Sequence, residues 1–162
     1  MINNLRLLVL DDLGLSGALG QLLQEEITRG GWEPTSMKQN IGAERFDITL
    51  ETAIYRVAQE TLTNARRHGH TSRVQMSLMR EIRGSETYLS LEVRDWGKGF
   101  VFREGFAAVG HYGLQGIVER VHLLDGTCEF QTAPGLGTRV FARFPVVVAP
   151  LQLAAAASTA AQ

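Results

Sequence analysis

The feature that most restricts the fold of this chain is a pair of strand patterns separated by a two-residue turn, Gly84-Ser85. The segments 72–83 and 86–95 place apolar side chains at every second position, at Val74, Met76 and Leu78 in the first and at Leu89, Leu91 and Val93 in the second. Such alternation predicts half-buried strands, and a two-residue connection makes them neighbours in an antiparallel hairpin. The pair excludes a fold that alternates strictly between strands and helices.

Helical periodicity predicts three further elements. Residues 13–29 have apolar positions on one face, with Ser16 as the predicted N-cap. Residues 48–68 repeat apolar side chains at steps of three and four, and Gly69 follows as a stop signal. Residues 114–124 form the third pattern. These helices flank the hairpin in the sequence and have apolar faces that can cover a sheet.

The remaining strand patterns complete the predicted architecture. Residues 32–40 are typical of an edge strand, and a final hairpin joins 126–131 to 138–144. The predicted order is helix, strand, helix, strand, strand, loop, helix, strand, strand. This order favours an α+β fold, a two-layer α/β sandwich whose mixed, mostly antiparallel sheet has helices on one face.

Composition excludes several classes of function. Lys and Arg total 16 against 17 Asp and Glu, so there is no broad basic surface for nucleic acid or an anionic membrane. The single cysteine, Cys128, excludes a disulfide scaffold and a cysteine-rich zinc site, and its strand position predicts a core role. The longest apolar run, 144–157, contains two prolines and is too short to span a bilayer. We expect a cytoplasmic domain without membrane contact of its own.

The long predicted helix has polar side chains along one margin of its apolar stripe. Glu60 and Asn64 are one turn apart, and Arg67 and His68 continue the same edge. An asparagine oxygen is a suitable ligand for a hard cation such as Mg²⁺, and an arginine fork suits phosphate oxygens. An ordinary solvated helix flank explains the same residues, and the helix alone leaves both interpretations open.

The hexamer DWGKGF, residues 95–100, follows a predicted inner strand. A carboxylate at this point, Asp95, accepts hydrogen bonds and donates none, so it would favour the exocyclic amine of adenine over the oxygen of guanine. Gly97 and Gly99 leave room for a flat ligand near the backbone. An ordinary Asp-Gly turn is the alternative interpretation.

Two further glycine-rich segments lie downstream. The segment GHYGLQGIVER, 110–120, leads into a predicted helix whose free N–H groups can hold phosphate, although a flexible linker is the alternative. The segment APGLGT, 133–138, is interpreted as a hairpin turn, with Thr138 at the start of the strand and facing the same cleft.

These four segments, in this order, resemble the Bergerat-type ATP-binding domain shared by gyrase, heat-shock chaperones, sensor histidine kinases and mismatch-repair ATPases. QETLTNARRH (59–68) is similar to the asparagine box of that superfamily, and DWGKGF, GHYGLQGI and GLGT are similar to its glycine boxes. Together with LDDLGL (10–15), GHYGLQGI (110–117) most resembles the sensor histidine kinases that pair with LuxR/NarL-type response regulators.

The resemblance implies a role for each matching residue. Asn64 would coordinate the Mg²⁺ that bridges the ATP phosphates, and Glu60 would act beside it as an acid/base or water-ordering group. Asp95 would recognise adenine, with Thr138 near the same base. Residues 100–112 would form a lid. The implied nucleotide-binding positions are Asn64, Arg67, His68, Asp95, Gly97, Gly99, His111, Tyr112, Gly113, Leu114, Gly116 and Thr138.

The sequence departs from the family pattern at some positions. Arg67 stands where lysine is usual, and Ile117 replaces a common methionine. The phosphoacceptor histidine of such kinases precedes the LDDLGL segment, yet only nine residues precede Leu10 and none is histidine. We therefore expect an ATP-binding catalytic domain, 31–146, preceded by the end of a dimerisation hairpin and a linker helix, 1–30, and followed by an Ala-rich disordered tail, 147–162.

The expected activity is transfer of the γ-phosphoryl group of Mg-ATP to a histidine on a dimerisation hairpin of the parent kinase, which this chain lacks. A LuxR/NarL-type response regulator would then receive the phosphoryl group. The expected cytoplasmic location of the domain is compatible with a membrane-anchored parent protein. The alternatives are a stand-alone serine kinase similar to anti-sigma-factor kinases and a non-catalytic nucleotide-binding module.

Overall fold

The computed structural model describes residues 2–101 and 113–147, with side chains from Leu8 onward. Its elements follow the predicted order, with one π-helical turn added. They are α1 (Ile2–Gly30), β1 (Lys38–Gln39), α2 (Ile48–Asn64), the π turn (Ala65–Gly69), β2 (Val74–Arg83), β3 (Glu86–Asp95), α3 (Leu114–Leu123), β4 (Thr127–Thr132) and β5 (Thr138–Pro145).

The five strands form one mixed sheet in the order β1-β2-β3-β5-β4. β1 runs parallel to β2, and every other neighbouring pair is antiparallel. The register puts Asp95, the last residue of β3, opposite Thr138, the first residue of β5. The predicted mixed, mostly antiparallel sheet is therefore confirmed, and its pairing brings the second and fourth motifs side by side.

The helices cover one face of this sheet. The alternating side chains predicted to point inward on β2 and β3 are at most 3% exposed. They share one apolar core with leucines of α1, with the apolar stripe of α2 and with Ile117 and Val121 of α3. Cys128 packs against this core from β4, and burial raises the pKa of its thiol to about 12. A protonated thiol at neutral pH agrees with the predicted core role.

Three boundaries differ from the predictions. Element α1 consists of two helical segments joined at a kink at Gly14 (φ 71°, ψ 175°), so the predicted helix 13–29 corresponds to the second segment and another helical segment precedes it. The predicted edge strand 32–40 contains only Lys38 and Gln39 as paired residues. The long helix ends its α-helical geometry at Asn64. Apolar periodicity marks which side is buried, but it is insensitive to one widened turn or to a kink at a single glycine.

Candidate functional site

A cavity opens where the end of α2, the π turn and the ends of β3 and β5 meet. The residues that line it are Thr61, Asn64, Ala65, His68, Gly69, Asp95, Gly99, Phe100, Leu114, Thr138 and Val140. Six of the twelve positions implied by the resemblance therefore share one cavity, namely Asn64, His68, Asp95, Gly99, Leu114 and Thr138. Each of their individual roles stays a prediction.

Asp95 is the buried acid of this cavity, with 7% of its surface exposed. Its Oδ1 accepts hydrogen bonds from the backbone N–H of Gly97 at 2.9 Å and from that of Thr138 at 3.3 Å. Burial raises the pKa of this carboxyl, and the two backbone donors act in the opposite direction. The carboxylate is thus oriented by fixed backbone groups in a setting of low polarity, where one further donor would bind strongly.

The loop after β3 packs directly on the π turn, and this contact requires glycine. A Cβ atom on Gly97 would lie 1.9 Å from the carbonyl oxygen of Gly69, closer than any real contact. The same carbonyl accepts a hydrogen bond from the backbone N–H of Lys98 at 2.7 Å. Gly97 therefore lets the loop that carries Asp95 lie against the segment that follows Asn64.

The helix-borne polar residues are divided between two cavities. Asn64 and His68 line the Asp95 cavity, whereas Glu60 and Arg67 line a neighbouring polar groove between α1 and α2. Arg67 is exposed there. The single polar edge predicted for these four residues is therefore divided between two cavities, and the helix geometry departs from a regular α-helix after Asn64.

The N-terminal end of α3 lies close to Glu60. Gly113 precedes the helix with a φ of 71°, and a Cβ atom there would lie 2.1 Å from Oε1 of Glu60. A carboxylate is favourable next to the positive end of a helix dipole. Leu114 is buried in the cavity wall, whereas Gly116 is exposed on the next turn. His111 and Tyr112, with most of the predicted lid, lie outside the described residues.

Five lining residues are absent from the predicted nucleotide-binding positions: Thr61, Ala65, Gly69, Phe100 and Val140. Thr61 is 6% exposed, and its hydroxyl donates to the carbonyl of Val57 at 2.7 Å, so its methyl group can face the cavity without leaving a polar atom unsatisfied. The sequence pattern predicts Gly69 only as a helix stop. The sequence could have indicated Thr61, because it lies three residues before Asn64 and residues three apart lie on one side of a helix.

The side chains in the described ranges contain no group of three or more His, Cys, Asp or Glu residues arranged to hold a metal ion. Nor does any helix within residues 2–101 and 113–147 combine the length and hydrophobicity needed to cross a bilayer.

A five-stranded mixed sheet with helices on one face and a cavity at the strand ends is the Bergerat-type ATP-binding fold. Within that class, the model of the histidine kinase-, DNA gyrase B-, and HSP90-like ATPase family matches residues 49–148. The chain belongs to this family, which confirms the resemblance found in its four motifs.

Two relatives are sensor or signalling histidine kinases. The chain is 33% identical over 146 residues to the signal transduction histidine-protein kinase/phosphatase DegS of Brevibacillus brevis, covering 90% of this chain and 36% of the relative. It is 34% identical over 137 residues to the oxygen sensor histidine kinase NreB of Staphylococcus carnosus strain TM300, covering 85% and 38%. The chain thus spans little more than a third of the length of either relative.

Solved structures share the fold. The histidine kinase domain of the blue-light activated histidine kinase of Erythrobacter litoralis EL346 superimposes with a TM-score of 0.63 at 21% identity, covering 82% of this chain and 61% of that one. The histidine kinase AdeS of Acinetobacter baumannii gives a TM-score of 0.57 at 14% identity, covering 90% and 76%. At these identities the likeness concerns the fold alone.

Proposed function

We propose that this chain is the catalytic part of a two-component sensor histidine kinase, which binds Mg-ATP and transfers its γ-phosphoryl group to a histidine on a separate dimerisation hairpin. The observation that carries the proposal is the shared cavity of Asn64 and Asp95. A neutral amide oxygen suited to a metal and a buried carboxylate suited to adenine are the two ends of an ATP site. We retain the division into 1–30, 31–146 and 147–162, and a cytoplasmic location, as parts of this proposal.

Asp95 is the proposed adenine-recognition residue. Its Oδ1 accepts two backbone N–H groups, so the carboxylate has a defined orientation before any ligand arrives. The adenine amine would donate to this carboxylate, whereas guanine offers an oxygen at the same position and would be repelled. Thr138 lies beside the acid, and Gly99 and Leu114 line the same cavity.

Asn64 is the proposed protein ligand of Mg²⁺. A Mg²⁺ ion held by Asn64 would supply neutralisation of the charge that develops during phosphoryl transfer. No carboxylate or histidine cluster competes for a cation among the described residues. Arg67, His68 and the N-terminal residues of α3, from Gly113 to Gly116, are proposed to approach the phosphates, together with His111 and Tyr112 of the preceding segment.

In this proposal the phosphoryl acceptor is a histidine of the dimerisation hairpin. A ring nitrogen of that histidine forms a bond to the γ-phosphorus, the bond to the bridging β,γ-oxygen breaks, and ADP leaves with the electron pair. The histidine ring loses its other N–H proton to a base. Glu60, beside the start of α3, is the proposed acid/base or water-ordering group. Catalysis of this kind depends mainly on positioning and charge neutralisation.

A binding titration followed by a transfer assay tests the proposal. We expect ATP to bind more tightly with Mg²⁺ than with EDTA, and we expect γ-labelled ATP to leave no label on this chain alone. Adding the isolated histidine hairpin of a related kinase should then give acid-labile label on the hairpin and, with a LuxR/NarL-type regulator, on the regulator. Acid-stable phosphoserine on a partner would indicate a serine kinase. Binding without transfer to any acceptor would indicate a nucleotide-binding module.

A further inference from the structure

Helix α1 contributes a buried acid that no step of the proposed reaction uses. Glu26 is 2% exposed although it is charged. Two arginines reach it, Arg29 with NH1 3.1 Å from Oε1 and Arg66 with Nε 2.8 Å from Oε2. The Arg29 side chain is 61% exposed and that of Arg66 is 27% exposed. Solvent weakens an ion pair, so Arg66 is the stronger partner of the buried carboxylate.

Arg66 belongs to the π turn, the segment that links the two ends of the proposed ATP site. This turn begins directly after Asn64, and Ala65, His68 and Gly69 line the cavity. On its far side the carbonyl of Gly69 accepts a hydrogen bond from Lys98, three residues after Asp95. The turn is therefore held from α1 by Glu26 and from the Asp95 loop by Lys98.

A π turn needs such contacts because its geometry is rare and less favourable than that of a regular helix. Its hydrogen bonds close rings one residue longer than those of an α-helix, so it rotates the residues that follow it. Return of residues 65–69 to α-helical geometry would turn His68 and Gly69 relative to Asn64. The Gly69 carbonyl would then leave Lys98, and the cavity would lose part of its wall.

We propose that Glu26 is a positioning residue for the nucleotide site, acting through Arg66 to hold the π turn in its widened form. Glu26 does not touch the nucleotide in this proposal, and its effect on ATP affinity rests on the proposed function. The effect of Glu26 on the geometry of the π turn is independent of the proposed function, because it concerns the chain without ligand. The two parts can therefore be tested separately.

Hydrogen exchange of the unliganded full chain tests the first part. The change is Glu26→Gln, which removes the charge and preserves the shape. The matched control is Glu51→Gln, because Glu51 is also buried and also paired with an arginine, Arg45, but lies near the opposite end of α2. We expect amide exchange at residues 65–70 to accelerate about tenfold in Glu26→Gln, the scale of one lost charge-assisted hydrogen bond, and less than about twofold in the control.

Equal acceleration in both variants, or none in Glu26→Gln, would overturn the proposal, because either result would make Glu26 an ordinary structural acid. If Glu26→Gln does not fold, Arg66→Gln takes its place, since the partly exposed Arg66 position can accommodate a polar residue. The expected acceleration and the refuting results are the same for that variant.

Calorimetric titration of Mg-ATP tests the second part at a temperature where circular dichroism shows each variant to be folded. We expect Glu26→Gln to weaken Mg-ATP binding about tenfold and Glu51→Gln less than about twofold. Arg66→Lys, which preserves the positive charge, should bind more tightly than Arg66→Gln. Unchanged affinity in Glu26→Gln beside normal binding by the unmodified chain would refute the positioning role. Absence of binding by the unmodified chain would instead refute the proposed function, while the exchange result would still stand.

Discussion

Replacement of Asp95 by asparagine is the most informative single change in the proposed ATP site. The side chain is nearly isosteric, and its carbonyl oxygen can still accept the backbone N–H groups of Gly97 and Thr138. The other carboxylate oxygen becomes an amide NH₂. A donor would then face the adenine amine, which is also a donor, in a setting where only 7% of the residue is exposed.

The expected loss is that of a buried polar group left without its partner, about 1–3 kcal/mol, or roughly 5- to 140-fold in the dissociation constant of ATP. The new NH₂ group can donate to the oxygen of guanine, so GTP should lose less affinity than ATP or gain some. The ratio of ATP affinity to GTP affinity should therefore fall, and it should fall by more than the ATP affinity does if the GTP affinity increases.

Isothermal titration with ATP and with GTP, each in EDTA, measures both constants without the metal contribution. Asp125→Asn is a suitable control, because Asp125 is exposed and its positive φ of 59° is tolerated by asparagine. Unchanged ATP affinity together with an unchanged ATP-to-GTP ratio in folded Asp95→Asn would refute the adenine-recognition role of Asp95.

Three further predictions follow from the same site. Asn64→Ala should abolish the gain in ATP affinity that Mg²⁺ provides but leave the affinity in EDTA unchanged; an equal loss in both titrations would contradict the metal role. Gly97→Ala should lower the free energy of unfolding by about 3 kcal/mol or more, because its Cβ would lie 1.9 Å from the Gly69 carbonyl oxygen. The control is Gly20→Ala, at a helical position where an added Cβ has free space; thermal unfolding should show it to be more stable than the unmodified chain by about 1 kcal/mol. Burial raises the pKa of the Asp95 carboxyl above its ordinary value of 3.8. The protonated carboxyl therefore contributes fully to the stability of the folded state below pH 3.8, and this contribution is lost as the pH rises through the raised pKa. Deprotonation of Asp95 should therefore lower the melting temperature between acid and neutral pH, and Asp95→Asn should lack this part of the decrease. If the melting temperatures of both proteins depend on pH identically, this prediction is contradicted.

The hairpin of β2 and β3 could be predicted from sequence because its evidence is local. Alternating residues such as Met76 and Leu91 identify the buried face, and a two-residue turn leaves one way to pair the strands. The pairing of β3 with β5 was harder to predict from sequence, because α3 and β4 lie between these strands in the chain. This pairing puts Thr138 beside Asp95.

The candidate site was partly predictable. The residue types at Asn64 and Asp95 indicate a metal and adenine by their chemistry, and the order of the motifs indicates the family. Their common cavity depends on the close contact of Gly97 with Gly69. Such a contact between two glycines has no periodic signature in either segment.

The sequence by itself determined the strand alternation, the helix faces, the order of elements and the membership of the chain in its ATPase family, because each of these is expressed in local patterns of residue type. Only the tertiary structure decided where α2 changes to a π turn, that Gly14 interrupts α1, and that Glu26 pairs with Arg66 forty residues later in the chain. The physical reason is that a backbone takes an unfavourable turn or buries a charge only where distant parts of the chain compensate for it, and those partners meet only in the folded state.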